Sequence, residues 1–272
     1  MQELIDRALA EDVGSGDVTS AAVVPVDALA RGRIEQKAPG VVAGLRVAEA
    51  VFRRLDPEVR WHPRVEEGAQ REGGLVAEIA GPARSILTGE RVALNFLGRL
   101  SGIATLTARY VQAVEGTPAR ILDTRKTTPG LRTLEKQAVL AGGGHNHRAG
   151  LFDAMLVKEN HSVLGGGVGE ASRAALAAAP AGMPVEVECS TIDEVDEALA
   201  AGATRILLDN MTTSELREAV ARARGKAETE ASGGVTLGSV RAIAETGVDW
   251  ISVGALTHSA PALDLSLLLD PL

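Results

Sequence analysis

The chain has 272 residues, of which 45% are hydrophobic and 24% are charged, so it can bury a sizeable core and is not a disordered protein. Aromatic residues make up only 2%, and a core must therefore be built from Ala, Val, Leu and Ile. The formal net charge of −8 argues against a general nucleic-acid binder, because binding to phosphate backbones needs a dominant basic surface.

A single cysteine, Cys189, excludes an internal disulfide and a zinc site of the CxxC type. The first residues of the chain include several acids and lack an apolar core of signal-peptide length. No apolar run approaches the roughly 18 residues of a spanning helix. We therefore expect a cytoplasmic protein that is not inserted into a membrane.

The first hundred residues predict a separate α/β layer domain over residues 1–105. Its predicted elements, in chain order, are a helix over 2–10, a strand RGRIEQK, a turn at Pro39-Gly40, a helix LRVAEAVFRRL, strands PRVEEGA and GGLVAEIAG, and a long helical pattern over about 88–115. Gly98 and Gly102 are expected to interrupt that last helix. The C-terminal tail, about 260–272, is expected to pack back on this domain.

Residues 106–272 show a regular alternation of apolar β-branched runs and helical patterns. The apolar runs are ARILDT, DAMLVKEN, VEVECS, TRILLDN, AETEASGG and DWISVGAL. Capping boxes are predicted at Thr191 with Glu194 and at Thr212 with Glu215, and glycines stand where the helices should end. Consecutive βα units of this length predict a (β/α) barrel, complete or incomplete, in preference to a doubly wound sheet.

Positive charge is concentrated between Arg120 and His161. This segment contains seven Lys or Arg against four acids, so it carries +3 while the remainder carries −11. Asp123, Lys158, Glu188 and Asp209 follow predicted strands, at the end where barrels place their active sites. The sequence therefore predicts an enzyme with a pocket for an anionic substrate.

Two motifs supply most of this positive charge. In DTRKTTPGLR, Arg125 and Lys126 form either a clamp for a polyanion or a solvated surface pair. In GGGHNHR, three glycines permit close backbone approach before His147 and Arg148, which favours a binding loop. A closed zinc site on these histidines is disfavoured, because no cysteine partner or HExxH spacing accompanies them.

The later strand ends supply acids and glycines. Lys158 has three interpretations: anion binding, Schiff-base formation or a structural ion pair. Glu188 and Asp209 could hold Mg²⁺, bond sugar hydroxyls, or pair with Lys126 or Lys158. Glu186 alternates in phase with Glu188 and is expected to lie deeper in the barrel. Backbone N–H groups of the glycine-containing strand ends are expected to bind phosphate; these residues are Ser232, Gly233, Gly234 and Gly254.

Four segments together resemble the quinolinate phosphoribosyltransferase family, also called nicotinate-nucleotide pyrophosphorylase (carboxylating). They are ERVALNFLGRLSGIAT, DTRKTTPGLRTLEK, GGGHNHRAGLFDAMLVKENH and SGGV, and the resemblance extends from EDVGSGDVTS to ISVGALTHSAP. It implies an α/β sandwich followed by an incomplete α/β barrel of the type II phosphoribosyltransferases. The implied reaction joins quinolinate to 5-phosphoribosyl 1-pyrophosphate, giving nicotinate mononucleotide, pyrophosphate and CO₂ in NAD biosynthesis.

The resemblance also implies a role for each matching residue. Quinolinate and pyrophosphate are expected near Arg125, Lys126, His147, Arg148 and Lys158. Glu188 and Asp209 match acids that engage the ribose and Mg²⁺, and they are expected to be catalytic together with Lys126 and Lys158. Ser232, Gly233, Gly234 and Gly254 match 5′-phosphate loops. Arg91 matches an arginine supplied by a neighbouring subunit, which implies a homodimer with shared active sites.

Three alternatives are weighed against this interpretation. The related molybdenum-operon protein shares the fold, but the TRKTTPG and GGGHNHR pair favours quinolinate. A Schiff-base aldolase could use Lys158 or Lys126. A barrel that only senses an anionic metabolite would bind quinolinate without turnover, although the presence of every charged group needed for two substrates argues against it.

Overall fold

A computed structural model describes residues 1–272, which divide into two compact units. The first comprises residues 1–108, 129–143 and 260–272, and the second comprises 109–128 and 144–259. Residues 129–143, which sequence analysis assigned to the barrel domain, thus cluster with the first unit, as do residues 260–272. No helix combines the length and hydropathy needed to cross a membrane.

The chain contains eleven helices and twelve strands. The helices are α1 (Gln2–Val13), α2 (Val18–Val23), α3 (Leu45–Leu55), α4 (Ala83–Ala113), α5 (Arg132–Ala141), α6 (Glu159–Leu164), α7 (Val168–Ala178), α8 (Ile192–Ala200), α9 (Thr213–Ala223), α10 (Val240–Ala244) and α11 (Ala255–His258). The strands are β1 (Leu29–Gln36), β2 (Gly40–Val41), β3 (Arg60–Pro63), β4 (Gln70–Arg71), β5 (Gly74–Pro82), β6 (Arg120–Leu122), β7 (Met155–Val157), β8 (Val185–Cys189), β9 (Arg205–Asp209), β10 (Glu228–Ser232), β11 (Trp250–Ser252) and β12 (Leu265–Pro271).

The first unit is built on an antiparallel sheet in the order β12-β1-β5-β3. Exposed and buried residues alternate along β1, because successive side chains point to opposite faces of a strand. Gly32 lies on the buried face, where a Cβ atom would come within 2.6 Å of Ile79. A larger residue there would therefore displace the core.

Aliphatic side chains dominate the core of each unit, as the composition predicts. The largest fully buried side chains of the first unit are Ile5, Ile34, Phe52, Ile79, Ile86, Leu97 and Ile103. The second unit buries Ile121, Ile206, Leu208, Leu216 and Ile251. Burial of each Leu or Ile side chain stabilises the fold by on the order of 1.5–3 kcal/mol. Many aliphatic side chains can therefore provide the stability that a few large aromatic side chains provide in other cores.

Two local predictions for the first unit are wrong. Helix α4 is continuous over 31 residues, although Gly98 and Gly102 were expected to interrupt it. These glycines instead permit close packing, since a Cβ atom at Gly98 would meet the carbonyl of Leu263 at 3.0 Å and one at Gly102 would collide with the carbonyl of Pro261. The segment PRVEEGA is mostly a turn, because β3 ends at Pro63.

The second unit contains six parallel strands in the order β6-β11-β10-β9-β8-β7. The outermost strands β6 and β7 do not pair with each other, so the barrel is incomplete, as predicted. Both predicted capping boxes are present: Thr191 with Glu194 begins α8, and Thr212 with Glu215 begins α9. The repeated strand-to-helix turns bring all six carboxyl ends to one edge of the sheet.

Candidate active site

A cavity of about 440 Å³ lies at the carboxyl ends of the parallel strands. Ten predicted site residues line it: Arg125, Lys126, His147, Arg148, Lys158, Glu188, Asp209, Ser232, Gly233 and Gly234. Gly254 is adjacent, because a Cβ atom there would lie 3.1 Å from the Cδ atom of Lys126. Arg91 is exposed on α4 in the first unit, and its role stays a prediction.

The basic side of the cavity begins with the loop after β6. The Lys126 N–H donates to Thr124 Oγ1 at 3.0 Å, and the Thr257 hydroxyl donates to the Lys126 carbonyl at 2.8 Å. These bonds fix the backbone from which Arg125 and Lys126 extend. Arg125 is half-buried and Lys126 is exposed, so the two adjacent cations differ in their access to solvent.

The glycine-marked segment GGGHNHR is anchored to β6. The His145 N–H donates to the Ile121 carbonyl at 2.8 Å, and the Asp123 N–H donates to the His145 carbonyl at 3.1 Å. The buried carboxylate of Asp123 then accepts from the His147 N–H at 2.8 Å. From the sequence, Asp123 was predicted only as an acid at a strand end. In the structure its carboxylate fixes the backbone at His147 and therefore positions His147 and Arg148.

Arg148 extends from this anchored loop into the cavity. Burial, together with the nearby charge of Arg125, lowers the pKa of the Arg148 guanidinium. One guanidinium nitrogen of Arg148 donates to the Ala154 carbonyl at 3.1 Å. Two guanidinium groups that repel each other in one cavity are typical of a site for a multiply charged anion.

Lys158 forms the ion pair that sequence analysis left as one of its three interpretations. Its Nζ atom lies 3.1 Å from Glu188 Oε2, with side-chain exposures of 50% for Lys158 and 9% for Glu188. An ion pair stabilises a charged ammonium, whereas Schiff-base formation needs a neutral amine. The pair is half open to solvent, so a ligand phosphate or carboxylate can also reach this ammonium.

Glu188 and Asp209 fit the chemistry of the predicted magnesium site. Both line the cavity from neighbouring strands, and carboxylate oxygens are the ligands that Mg²⁺ prefers. Asp209 Oδ2 accepts from the Asn210 amide at 2.7 Å, and Glu188 Oε2 is bonded to Lys158. The second oxygen of each carboxylate remains for a cation or for a water bound to it.

In the turn after β10, two glycines without side chains line the cavity with their backbone atoms. Gly233 and Gly234 have φ angles of 93° and 58°, in the left-handed region that favours glycine. A Cβ atom at Gly233 would collide with the side chain of Asn210. This turn therefore requires glycine at position 233, as a phosphate-binding backbone loop does.

A charged cluster, which we call the floor cluster, lies below these residues and consists of His147, Glu186, Arg205 and Glu230. Glu186 was expected deep in the barrel, and it is buried with its Oε2 atom 2.8 Å from His147 Nε2. Arg205 donates to Glu186 at 3.0 Å and to Glu230 at 2.9 Å. Burial raises the pKa of Glu230 to about 7, and the charge of Glu186 adds to this rise.

Arg205 and Glu230 were not among the site residues predicted from the sequence. Both alternate in phase with a predicted site residue, because Arg205 lies four residues before Asp209 and Glu230 two before Ser232. The period-two pattern that located Glu186 would thus have located them as well. Conversely, burial raises the pKa of the Cys189 thiol to about 12, which disfavours the reactive thiolate form.

Comparisons with known proteins agree along the whole chain. The family models for the N-terminal and C-terminal domains of quinolinate phosphoribosyl transferase match residues 17–101 and 103–268. Quinolinate phosphoribosyltransferase (decarboxylating) 1b of Nicotiana tabacum is 45% identical over 99% of this chain and 82% of its own length. The probable nicotinate-nucleotide pyrophosphorylase (carboxylating) of Bacillus subtilis is 42% identical over 98% of this chain and 92% of its own length.

A solved structure agrees as closely. The crystal structure of NadC from Streptococcus pyogenes is 41% identical and superposes with a TM-score of 0.95, covering 100% of this chain and 96% of the other. The fold, both domain matches and the full-length relatives therefore point to one family. The chain belongs to the quinolinate phosphoribosyltransferase (decarboxylating) family of NAD-biosynthesis enzymes.

Proposed function

We propose that this chain transfers the phosphoribosyl group of 5-phosphoribosyl 1-pyrophosphate to quinolinate with loss of CO₂, giving nicotinate mononucleotide and pyrophosphate. The observation that carries the proposal is the convergence of Arg125, Arg148 and Lys158 with Glu188 and Asp209 around one cavity. Relatives of this chain are named for this substrate and reaction.

The basic side of the cavity suits quinolinate. Quinolinate is a dianion with adjacent carboxylates, and planar guanidinium groups bind carboxylates through paired N–H donors. Arg125 and Arg148 supply two such groups, and their mutual repulsion falls when an anion binds between them. We assign the quinolinate site to these arginines, with His147 in the wall beside them and Lys158 at the edge.

The other strand ends suit the phosphoribosyl donor. Ser232, Gly233 and Gly234 offer a backbone loop to the 5′-phosphate, and Gly254 lies beside Lys126 near the same edge. Glu188 and Asp209 would hold Mg²⁺ or the ribose hydroxyls. When bound, Mg²⁺ supplies charge stabilisation for the departing pyrophosphate.

The chemistry requires orientation more than a covalent nucleophile. The pyridine nitrogen bonds to C1 of the ribose while the bond from C1 to the pyrophosphate oxygen breaks, and Lys126 and Lys158 stabilise the charge on that oxygen. The ring nitrogen becomes cationic, so the bond to the 2-carboxylate can break with its electron pair left on the ring carbon, which then takes a proton. The residues hold this geometry and exclude water.

The proposal extends to assembly and location. We propose a homodimer in which Arg91 of one subunit completes the site of the other, and a cytoplasmic enzyme. Arg91→Ala and Lys158→Ala proteins, each inactive alone, should recover activity when their subunits are exchanged, because one of the two mixed sites is then intact. No recovery despite confirmed exchange would exclude shared sites.

The activity is tested by incubating the protein with quinolinate, 5-phosphoribosyl 1-pyrophosphate and Mg²⁺. Formation of nicotinate mononucleotide and CO₂ is expected, with nicotinate as the matched control substrate that lacks the 2-carboxylate. Turnover of nicotinate but not of quinolinate would refute the substrate assignment. Turnover of neither would leave a metabolite-binding barrel.

A further inference from the structure

The floor cluster is a connected set of contacts that the proposed reaction does not by itself explain. Glu186 on β8 and Glu230 on β10 are both buried, and Arg205 on the strand between them donates to each. Arg205 begins its strand, so its guanidinium reaches the middle of the barrel from the end opposite the cavity. The Arg205 guanidinium on β9 thus fixes two carboxylates, one from the strand on each side of it.

A tryptophan holds the guanidinium of Arg205 in place. The guanidinium carbon lies 5.2 Å from the ring centroid of Trp250, and that of Arg120 lies at the same distance. The Trp250 indole N–H donates to Glu228 at 3.1 Å, which fixes the ring. Stacking on an aromatic face and two ion pairs together leave Arg205 little freedom to adopt another direction.

Both ring nitrogens of His147 already have protein partners. Nδ1 accepts from the backbone N–H of Arg148 at 2.7 Å, so Nδ1 carries no proton. The proton of the neutral ring therefore stands on Nε2, which donates to Glu186 at 2.8 Å. Although His147 lines the cavity, neither nitrogen is available to a substrate in this arrangement.

The same geometry argues against a metal ion in the floor cluster. His147, Glu186 and Glu230 place possible ligand atoms within 4.8 Å of one another. A metal on Nε2 would move the ring proton to Nδ1, where it would oppose the Arg148 N–H. Arg205 already balances charge on both carboxylates, so a dication would gain little there.

We propose that Arg205 is a positioning residue, which sets the direction of Arg148 through the two buried glutamates and the imidazole of His147. The order of contacts is a guanidinium to a carboxylate, the carboxylate to Nε2, and Nδ1 to the backbone N–H of the next residue. His147 then serves the substrate by holding the backbone from which the Arg148 guanidinium reaches the cavity. Only the kinetic consequence of this proposal rests on the proposed function.

The protonation of His147 depends on the groups that face it. They are Glu186 from β8, Arg205 from β9, Glu230 from β10 and Arg148 from its own loop, with the buried carboxylate of Asp123 on the backbone N–H of His147. Burial lowers the pKa of His147, but the bond to Glu186 and the charge of Glu230 more than offset this and raise it, while the charge of Arg205 lowers it. Loss of Arg205 should therefore favour a second proton, on Nδ1, which would break the bond to Arg148.

The first test is the tautomer of His147 in the unmodified protein. Long-range proton–nitrogen NMR spectra of protein labelled with nitrogen-15 histidine, at mildly alkaline pH, should show a proton on Nε2 and none on Nδ1. The signal is assigned with His147→Gln, or by Gln substitution of the other four histidines if that variant does not fold. A ring protonated on Nδ1 alone would overturn the proposal.

The second test compares Arg205→Lys with Arg222→Lys, a control in which the same substitution changes a guanidinium that forms only exposed ion pairs with Asp196 and Glu218. An ammonium cannot bridge both carboxylates, so the His147 spectrum should change and the KM for quinolinate should rise roughly 10- to 100-fold. The KM for the donor should change little, and Arg222→Lys should resemble the unmodified protein. If Arg205→Lys does not fold, the double variant Arg205→Met with Glu230→Gln is used in its place. It removes one charge of each sign.

An unchanged His147 spectrum or an unchanged quinolinate KM in the folded variant overturns the proposal. If the unmodified protein does not turn over quinolinate, the proposed function fails, yet the spectra of His147 and of the Arg148 amide still decide whether Arg205 positions them. The two failures are therefore distinguishable.

Discussion

The barrel carries two clusters of charged residues at different depths. The clusters differ in how many of their charges are paired with one another and in how exposed these pairs are. The upper cluster, which we call the mouth cluster, consists of Lys158, Glu188 and Asp209. The floor cluster begins only two residues deeper on the same strand, at Glu186. The ion pair of the mouth cluster is half open, since Lys158 is 50% exposed, whereas Glu186 and Glu230 are buried and both bonded to Arg205.

This difference separates charges that bind a ligand from charges that stabilise the fold. Charges with remaining donors and acceptors can bind substrate, and their substitution should change kinetics more than stability. Charges that bond only one another hold the scaffold, and removing one leaves its partners buried without compensation. The proposed positioning role of Arg205 connects the floor cluster to Arg148, which extends into the cavity.

The largest expected effect is on stability, from Arg205→Met. The substitution leaves two buried carboxylates without their cation and should lower the free energy of unfolding by about 3–5 kcal/mol. Urea denaturation measures it, with Arg222→Met as control, because Arg222 forms only exposed ion pairs with Asp196 and Glu218. A loss no greater than that of the control would contradict the distinction between the two clusters.

Lys158→Ala should have the next largest effect, on catalysis. Loss of an ammonium that stabilises the departing pyrophosphate should reduce kcat/KM by roughly 100- to 1,000-fold. Unfolding free energy should change by at most about 1 kcal/mol, because the pair with Glu188 is half exposed. Steady-state kinetics and denaturation of the same preparation check both statements, and normal kinetics would remove Lys158 from the site.

The floor cluster should also make stability depend on pH. The pKa of Glu230 is about 7 in the folded chain against an ordinary value of 4.5, so the folded state binds more protons between these values. Its contribution to stability therefore falls as pH rises through this window, by up to roughly 3 kcal/mol. Denaturation across the window should show a smaller decrease in Glu230→Gln, and an equal decrease would exclude Glu230 as the source.

Gly233→Ala should have a smaller effect on stability than Arg205→Met. A residue with a Cβ atom at a φ angle of 93° costs about 1–2 kcal/mol, and it would also collide with Asn210. The KM for 5-phosphoribosyl 1-pyrophosphate should rise while that for quinolinate changes less. Gly225→Ala serves as the control, because its φ angle of 74° is similar but its Cβ atom would meet nothing within 4 Å. Equal KM values for the two variants would remove the Gly233 turn from the donor site.

Sequence periodicity predicted the barrel and all three residues of the mouth cluster for a simple reason. Parallel strands joined by helices bring their carboxyl ends together, so a polar residue at each strand end predicts a shared site without any distance. The contacts of the floor cluster could not be predicted in this way. Alternation shows that Glu186, Arg205 and Glu230 share the inner face, but not that a side chain starting one strand reaches its two neighbours.

The glycines show a similar limit. Gly98 and Gly102 weaken a helix locally, which is why an interruption was expected in α4. The backbone at Pro261 and Leu263 packs against these positions in the first unit, and only glycine permits so close an approach. Pro261 and Leu263 lie about 160 residues from these glycines in sequence. The local pattern around Gly98 and Gly102 therefore could not predict this close approach.

The most direct test of the proposed activity follows one carbon atom. Quinolinate labelled with carbon-13 in its 2-carboxylate is incubated with 5-phosphoribosyl 1-pyrophosphate, Mg²⁺ and the protein, and labelled CO₂ and pyrophosphate are measured together. The account predicts that the two appear in equal amounts and only when the donor is present. Label retained in the product, or labelled CO₂ released without the donor, would contradict it.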